Sequence, residues 1–151
     1  MSPAWRIVKA KHAATAFDGE GARRSGGRWN SLGVRMVYVS VTKSLAALET
    51  LVHLTLPVTT TFVAIPIEFE DALMEVFPAK NLPAGWNAEP PSPISQQIGD
   101  VWVKTTRSAI LALPSVLTGE TNYLLNPAHP DFKKISIGKP EPFTFDSRLL
   151  T

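Results

Sequence analysis

The chain contains no cysteine, which removes disulfides, thiolate metal sites and cysteine nucleophiles at once and leaves the fold to be held by packing alone. Histidine is sparse as well. His12, His53 and His129 are too scattered for a His-x-x-x-His pair and sit in no metal-protease signature, so no metal site is expected. There is no Gly-x-Gly-x-x-Gly and no Walker loop, so neither Rossmann nor P-loop nucleotide binding is supported. No serine lies in a nucleophile-elbow pattern.

No apolar run approaches the roughly 20 residues that span a bilayer, and Met1-Ser2-Pro3-Ala4-Trp5-Arg6 lacks the layout of a signal peptide. No membrane partner is expected, and the predicted location is cytoplasmic. Neither sign of charge dominates: 15 Lys and Arg stand against 13 Asp and Glu, a net charge of +2. The one dense basic cluster is Arg23, Arg24 and Arg28. Direct nucleic-acid binding is not expected, because phosphate neutralisation scales with the number of basic contacts.

What the sequence does contain is an ordinary globular composition, 44% hydrophobic and 19% charged over 151 residues. That suffices for one domain, residues 1–151, with a core of its own. Trp5 to Val8 reads as a strand, and the polar stretch from Lys9 to Gly27 as a long loop. Val37 to Val41 is a strand by its Val and Tyr content. Thr42 or Ser44 caps a helix running to about Leu54, with Leu45, Leu48 and Val52 predicted to face the core. Thr60 to Phe69 alternates with period two, placing Val63, Ile65, Ile67 and Phe69 on one face, while Pro66 predicts an edge strand or a bulge.

Leu73 to Phe77 is a further short strand, and Pro78 to Pro93 a surface connection. Ser92 and Pro93 supply an N-cap and a first-turn proline for a helix that carries Ile94, Ile98, Val101 and Trp102 and ends near Arg107 or Ser108. Ala109–Leu113, Tyr123–Leu125, Ile135–Ile137 and Phe143–Phe145 complete the predicted strands. Many short strands with two helices and no internal repeat define an α+β domain.

Four residues invite chemistry, each with a plainer alternative. Arg28 follows Gly26-Gly27, where the backbone can approach a ligand and the guanidinium can clasp a phosphate or carboxylate; otherwise it is a loop arginine in water. Glu49 lies among Leu45, Ala46, Leu48 and Val52, either as a catalytic carboxylate or as a surface glutamate paired with His53. Tyr38 is a stacking wall or simply a core tyrosine. Ser115 follows Leu113-Pro114 and starts a turn.

Taken together, Trp5-Arg6, Gly19-Glu20-Gly21-Ala22, Gly26-Gly27-Arg28-Trp29-Asn30, Val37-Tyr38-Val39-Ser40, Leu48-Glu49 with His53, Leu113-Pro114-Ser115 and Leu125-Asn126-Pro127-Ala128-His129-Pro130 resemble the RES-domain family. That family supplies the toxins of bacterial RES-Xre toxin-antitoxin modules. The resemblance implies an ADP-ribosyltransferase-like α+β fold of short strands in two packed sheets with flanking helices. It also implies a type II toxin that cleaves NAD at the nicotinamide-ribose bond, as an NAD phosphorylase or glycohydrolase, and so depletes the cell of NAD.

NAD would then be substrate rather than cofactor, with inorganic phosphate a possible co-substrate. The family's site maps onto Glu49, Arg28 and Tyr38 as the catalytic set and onto Arg6, Arg28, Tyr38 and Ser115 as substrate-binding residues. An Xre-type helix-turn-helix antitoxin and a homodimer are implied partners. Alternative readings are a non-catalytic nucleotide- or partner-binding module and an ADP-ribosyl transferase acting on a macromolecule. Against transfer, Ala47 stands two residues before Glu49, where transferases often carry a Glu or Gln.

Overall fold

The computed structural model describes residues 1–151. Strands β1 (Ser2–Lys9), β2 (Val37–Ser40), β3 (Phe62–Phe69), β4 (Met74–Val76), β5 (Ile110–Pro114), β6 (Thr121–Leu125), β7 (Ser136–Ile137) and β8 (Glu141–Phe143) are joined by hydrogen bonds in one sheet. The order is β4-β5-β6-β2-β1-β3-β7, with β8 also on β3. β4 and β5 run parallel and the other pairs antiparallel. The α+β class is as the sequence predicts, but the two implied sheets are one continuous ladder.

Alternation along the strands divides the core between the two faces of this sheet. One face carries Ala4, Val37, Val39, Ile67, Phe69, Ile110, Ala112, Tyr123 and Leu125 in a single cluster. The other face buries two clusters side by side. Ile7, Phe62, Ala64 and Phe145 pack beneath helix α2 (Lys43–Leu51) against its Ala46, and Trp29, Met36, Leu111, Leu113 and Leu124 beneath helix α3 (Pro93–Thr105) against its Trp102. Each large side chain enclosed in this way contributes roughly 1.5–3 kcal/mol of transfer free energy. The two helices thus flank a strip of the sheet lined by Tyr38, Ser40 and Asn122.

Local signals explain both helices. Thr42 caps α2 by accepting from the Leu45 amide, and Ser92 caps α3 by accepting from Ile94 ahead of Pro93. The predicted apolar stripe of α2 is displaced, however. Leu45 and Ala46 are buried, whereas Leu48 and Val52 are exposed. The face toward the sheet is therefore 45, 46 and 49, which brings Glu49 one turn beyond Leu45 to the same side. On α3 Trp102 is buried, while Ile94 and Val101 are exposed, and the helix ends at Thr105 because Thr106 adopts a left-handed φ of 53°.

Two other expectations change. The stretch from Lys9 to Gly27 holds a 3-10 turn (Ala10–Thr15) and a short helix, α1 (Glu20–Ser25), whose Glu20 pairs with Arg23, Arg24 and Arg35. Pro66 lies inside the sheet, not on an edge strand. Its carbonyl faces the β7–β8 side and accepts from Gly138, at the gap between β8 opposite 62–64 and β7 opposite 67–68. The missing N–H falls where no ladder bond is required.

Candidate active site

Glu49 projects from α2 over the strip between the helices. Its Oε1 accepts from Ser115 Oγ at 2.7 Å and from Asn122 Nδ2 at 3.2 Å. Its Oε2 has no protein partner, and no unpartnered side-chain oxygen is buried, so this atom faces solvent. The expected alternative partner, His53, is exposed and bonds elsewhere through its backbone alone. One oxygen is fixed and the other is open, the arrangement of a carboxylate presented to a ligand.

Ser115 sits directly after β5 and is buried. While donating to Glu49 it accepts from the amides of Leu117 and, at 3.4 Å, Thr118. It therefore lies behind the carboxylate and closes its own turn, two roles in one hydroxyl. Asn122 and Ser40 were not foreseen as site residues. They are register partners on β6 and β2, and the Ser40 hydroxyl donates to Asn122 Oδ1 at 2.6 Å. Ser40 stood inside the predicted strand Val37 to Val41 as its one small polar residue, whereas Asn122 precedes the predicted strand Tyr123–Leu125 and carried no sequence signal.

Two residues before Ser40 and on the same face, Tyr38 reaches under the glycine-rich loop. Its hydroxyl donates to Asn30 Oδ1 at 2.6 Å and accepts from the Trp29 amide at 3.1 Å. Burial raises its pKa and keeps the phenol protonated. A Cβ on Gly27 would stand 2.7 Å from that hydroxyl, so glycine is required for the loop to lie on the ring. The buried amide of Asn30 donates to the carbonyls of Ala22 and Val34 and closes the loop from within.

From the other side α3 grips the same loop. Ser95 Oγ donates to the Arg28 carbonyl at 2.6 Å, Gln96 Nε2 to the Gly27 carbonyl at 3.0 Å, and Asp100 accepts from the amide and hydroxyl of Ser31. The Arg28 guanidinium is mostly enclosed and turned toward the 78–93 connection. It donates to the carbonyls of Trp86 (3.1 Å) and Ala88 (2.8 Å) and pairs with the exposed Glu89 at 3.0 Å. Trp86 in turn stacks on Trp29 at 5.8 Å.

Arg6 is not brought to Glu49. On β1 it alternates with Trp5, the register partner of Ser40, and so points to the opposite face of the sheet. Its Nε donates to the Ala16 carbonyl at 2.7 Å and its Nη1 to the Tyr38 carbonyl at 2.9 Å, bracing β1 against β2. Enclosure lowers its pKa to about 10, with Asp18 opposing the shift, so it remains a cation at neutral pH. The structure thus joins Glu49 and Ser115 directly, reaches Tyr38 through Ser40 and Asn122, holds Arg28 beyond Tyr38 and leaves Arg6 behind the sheet.

The sequence model of the RES domain matches residues 3–146. The chain belongs to the RES-domain family. This RES domain is 42% identical over 153 residues to the protein named Prs ADP-ribosylating toxin from Sphingobium sp. (strain YBL2), covering 97% of this chain and 95% of that protein. It is 36% identical over 149 residues to the protein named Toxin Res from Photorhabdus laumondii, with 97% and 96% covered. A chain in the crystal structure of the M. tuberculosis MbcT-MbcA toxin-antitoxin complex superposes with a TM-score of 0.75 at 18% identity, covering 95% of this RES domain and 84% of that chain. That likeness is one of fold. No helix of the RES domain is long and apolar enough to cross a membrane.

Proposed function

We propose that this RES domain is the toxin of a toxin-antitoxin pair and that it breaks the nicotinamide-ribosyl bond of NAD. The observation that carries the reading is Glu49, with Oε1 held by Ser115 and Asn122 and Oε2 open between the two helices. When the C–N bond breaks, the electron pair leaves with nicotinamide, which becomes neutral, and C1′ of the ribose becomes oxocarbenium-like. An oriented carboxylate stabilises that developing charge, as in glycoside hydrolysis. Tyr38 supplies a wall beside the leaving ring. Arg28, one guanidinium N–H from exchanging Glu89 for an anionic ligand, takes a phosphate group of NAD or the attacking inorganic phosphate.

Water or phosphate is the acceptor in the leading reading. Transfer of ADP-ribose to a macromolecule is the second, favoured by the name of the Sphingobium relative at 42% identity; Ala47, apolar and packed against the Phe62 cluster, offers no side chain to orient an acceptor. The fold shared with a chain of the MbcT-MbcA toxin-antitoxin complex and the relatives named as toxins support an antitoxin partner. An Xre-type identity for that partner, a homodimeric toxin and a cytoplasmic location are proposed from the family resemblance alone.

Purified protein should release nicotinamide from NAD, and Glu49→Gln should lower that rate by about 10²–10³ fold, the loss typical of one electrostatic stabiliser. Dependence on added phosphate identifies phosphorolysis, free ADP-ribose hydrolysis, and label retained on protein or nucleic acid transfer. No nicotinamide release under any condition overturns the reading.

A further inference from the structure

The inward face of β6 is apolar at Leu124, which is fully buried, yet two residues earlier it carries the amide of Asn122. A half-buried amide at such a position is costly unless both of its ends are bonded. Both are. Ser40 Oγ donates to Oδ1 at 2.6 Å, and Nδ2 donates to Glu49 Oε1 at 3.2 Å. Ser40 is the register partner of Asn122 on the neighbouring strand, so the ladder itself places this hydroxyl.

We infer that Asn122 is a positioning residue for Glu49 and that Ser40 acts through Asn122 by bonding the far end of its amide. This rests on the reading of Glu49 as the carboxylate that faces the ribose. The carboxylate only accepts and so requires the NH₂ end of the amide, since the reversed amide would set oxygen against oxygen; the Ser40 hydroxyl then donates to Oδ1 and holds that end in place. Asn122 from β6 and Ser115 from the end of β5 then converge on Oε1 from two strands, while α2 supplies the glutamate backbone. Three elements thereby orient one carboxylate, and Oε2 is left to the substrate. Glu49 is the sole titratable group hydrogen-bonded to Asn122.

The test is steady-state nicotinamide release between pH 5.5 and 8.5 by the parent, Asn122→Asp, Ser40→Ala and Glu49→Gln. Asn122→Asp keeps the acceptor for Ser40 but opposes Glu49 with a second carboxylate. Its kcat should fall about 10–100 fold at pH 8, on the scale of a misplaced reacting group, with KM changed less. It should recover toward the parent at acid pH, where one shared proton restores a donor between the two carboxylates. Ser40→Ala should lower kcat about 3–10 fold at every pH, the scale of losing one ordinary hydrogen bond behind the contact rather than the contact itself. An inactive parent overturns the NAD reading and this inference with it. An active parent with inactive Glu49→Gln overturns this inference alone if Asn122→Asp is fully active or its deficit does not change with pH. Should Asn122→Asp fail to fold, Ser40→Ala decides, and a parental kcat there overturns the inference.

Discussion

Ser115 and Glu49 stand 66 positions apart in the chain and 2.7 Å apart in the fold, hydroxyl to carboxylate. The contact ties the turn after β5 to the sheet-facing side of α2. Because the same hydroxyl accepts from Leu117 and Thr118, removing it affects both the carboxylate and the turn. Ser115→Ala should cost about 1–3 kcal/mol in a urea titration, the range for a buried group that loses its partner. It should also lower kcat by about tenfold or more. A variant as stable as the parent and fully active would show the contact to be incidental.

Arg6 bears on stability rather than on substrate. In Arg6→Met the carbonyls of Ala16 and Tyr38 lose their donor, and each such group costs about 1–3 kcal/mol when left unpaired and enclosed. The urea midpoint should therefore fall by several tenths of a molar or more, while the KM for NAD of the folded fraction stays within about twofold. A large rise in KM with unchanged stability would place Arg6 in the substrate site instead.

Gly99 lets α3 rest on the glycine-rich loop. A Cβ there would lie 1.8 Å from the Trp29 carbonyl oxygen, a backbone atom that cannot rotate away. Gly99→Ala should destabilise by about 3 kcal/mol or more, at or beyond the upper end for overpacking, even though alanine is the better helix former. Intrinsic tryptophan fluorescence should report the displacement of Trp29 from Trp86. Unchanged stability would mean that helix and loop are not in contact as described.

Glu20 makes stability depend on acid. Its hydrogen bond from Arg23, then that from Arg24 and the charges of Arg23 and Arg35, lower its pKa from 4.5 to about 2. A carboxylate depressed on folding stabilises the native state above its unfolded pKa, and that contribution disappears as pH falls from about 4.5 toward 2. The advantage of the parent over Glu20→Gln in urea should therefore be present at pH 6 and shrink by pH 3. An advantage that is constant with pH would exclude the ion-pair cluster as its source.

The sequence by itself determined whatever depends on near neighbours along the chain. The β-branched run at Val37 to Val41, the Thr42 and Ser92 caps, the first-turn Pro93 and the Gly-Gly-Arg-Trp-Asn loop are local signals, and each has its structural counterpart. Arg28, Tyr38, Glu49 and Ser115 could be singled out because their motifs are short and ordered. Tertiary structure alone decided which side of α2 meets the sheet, and hence that Glu49 rather than Leu48 or Val52 turns inward. It also decided that Pro66 falls at the gap between β7 and β8, that Arg6 braces the strands from behind, and that Asn122 and Ser40 complete the carboxylate's support. The reason is geometric: a strand's register and a helix's rotation are set by packing among segments tens of residues apart, and a side chain's role follows from the partner that register places opposite it.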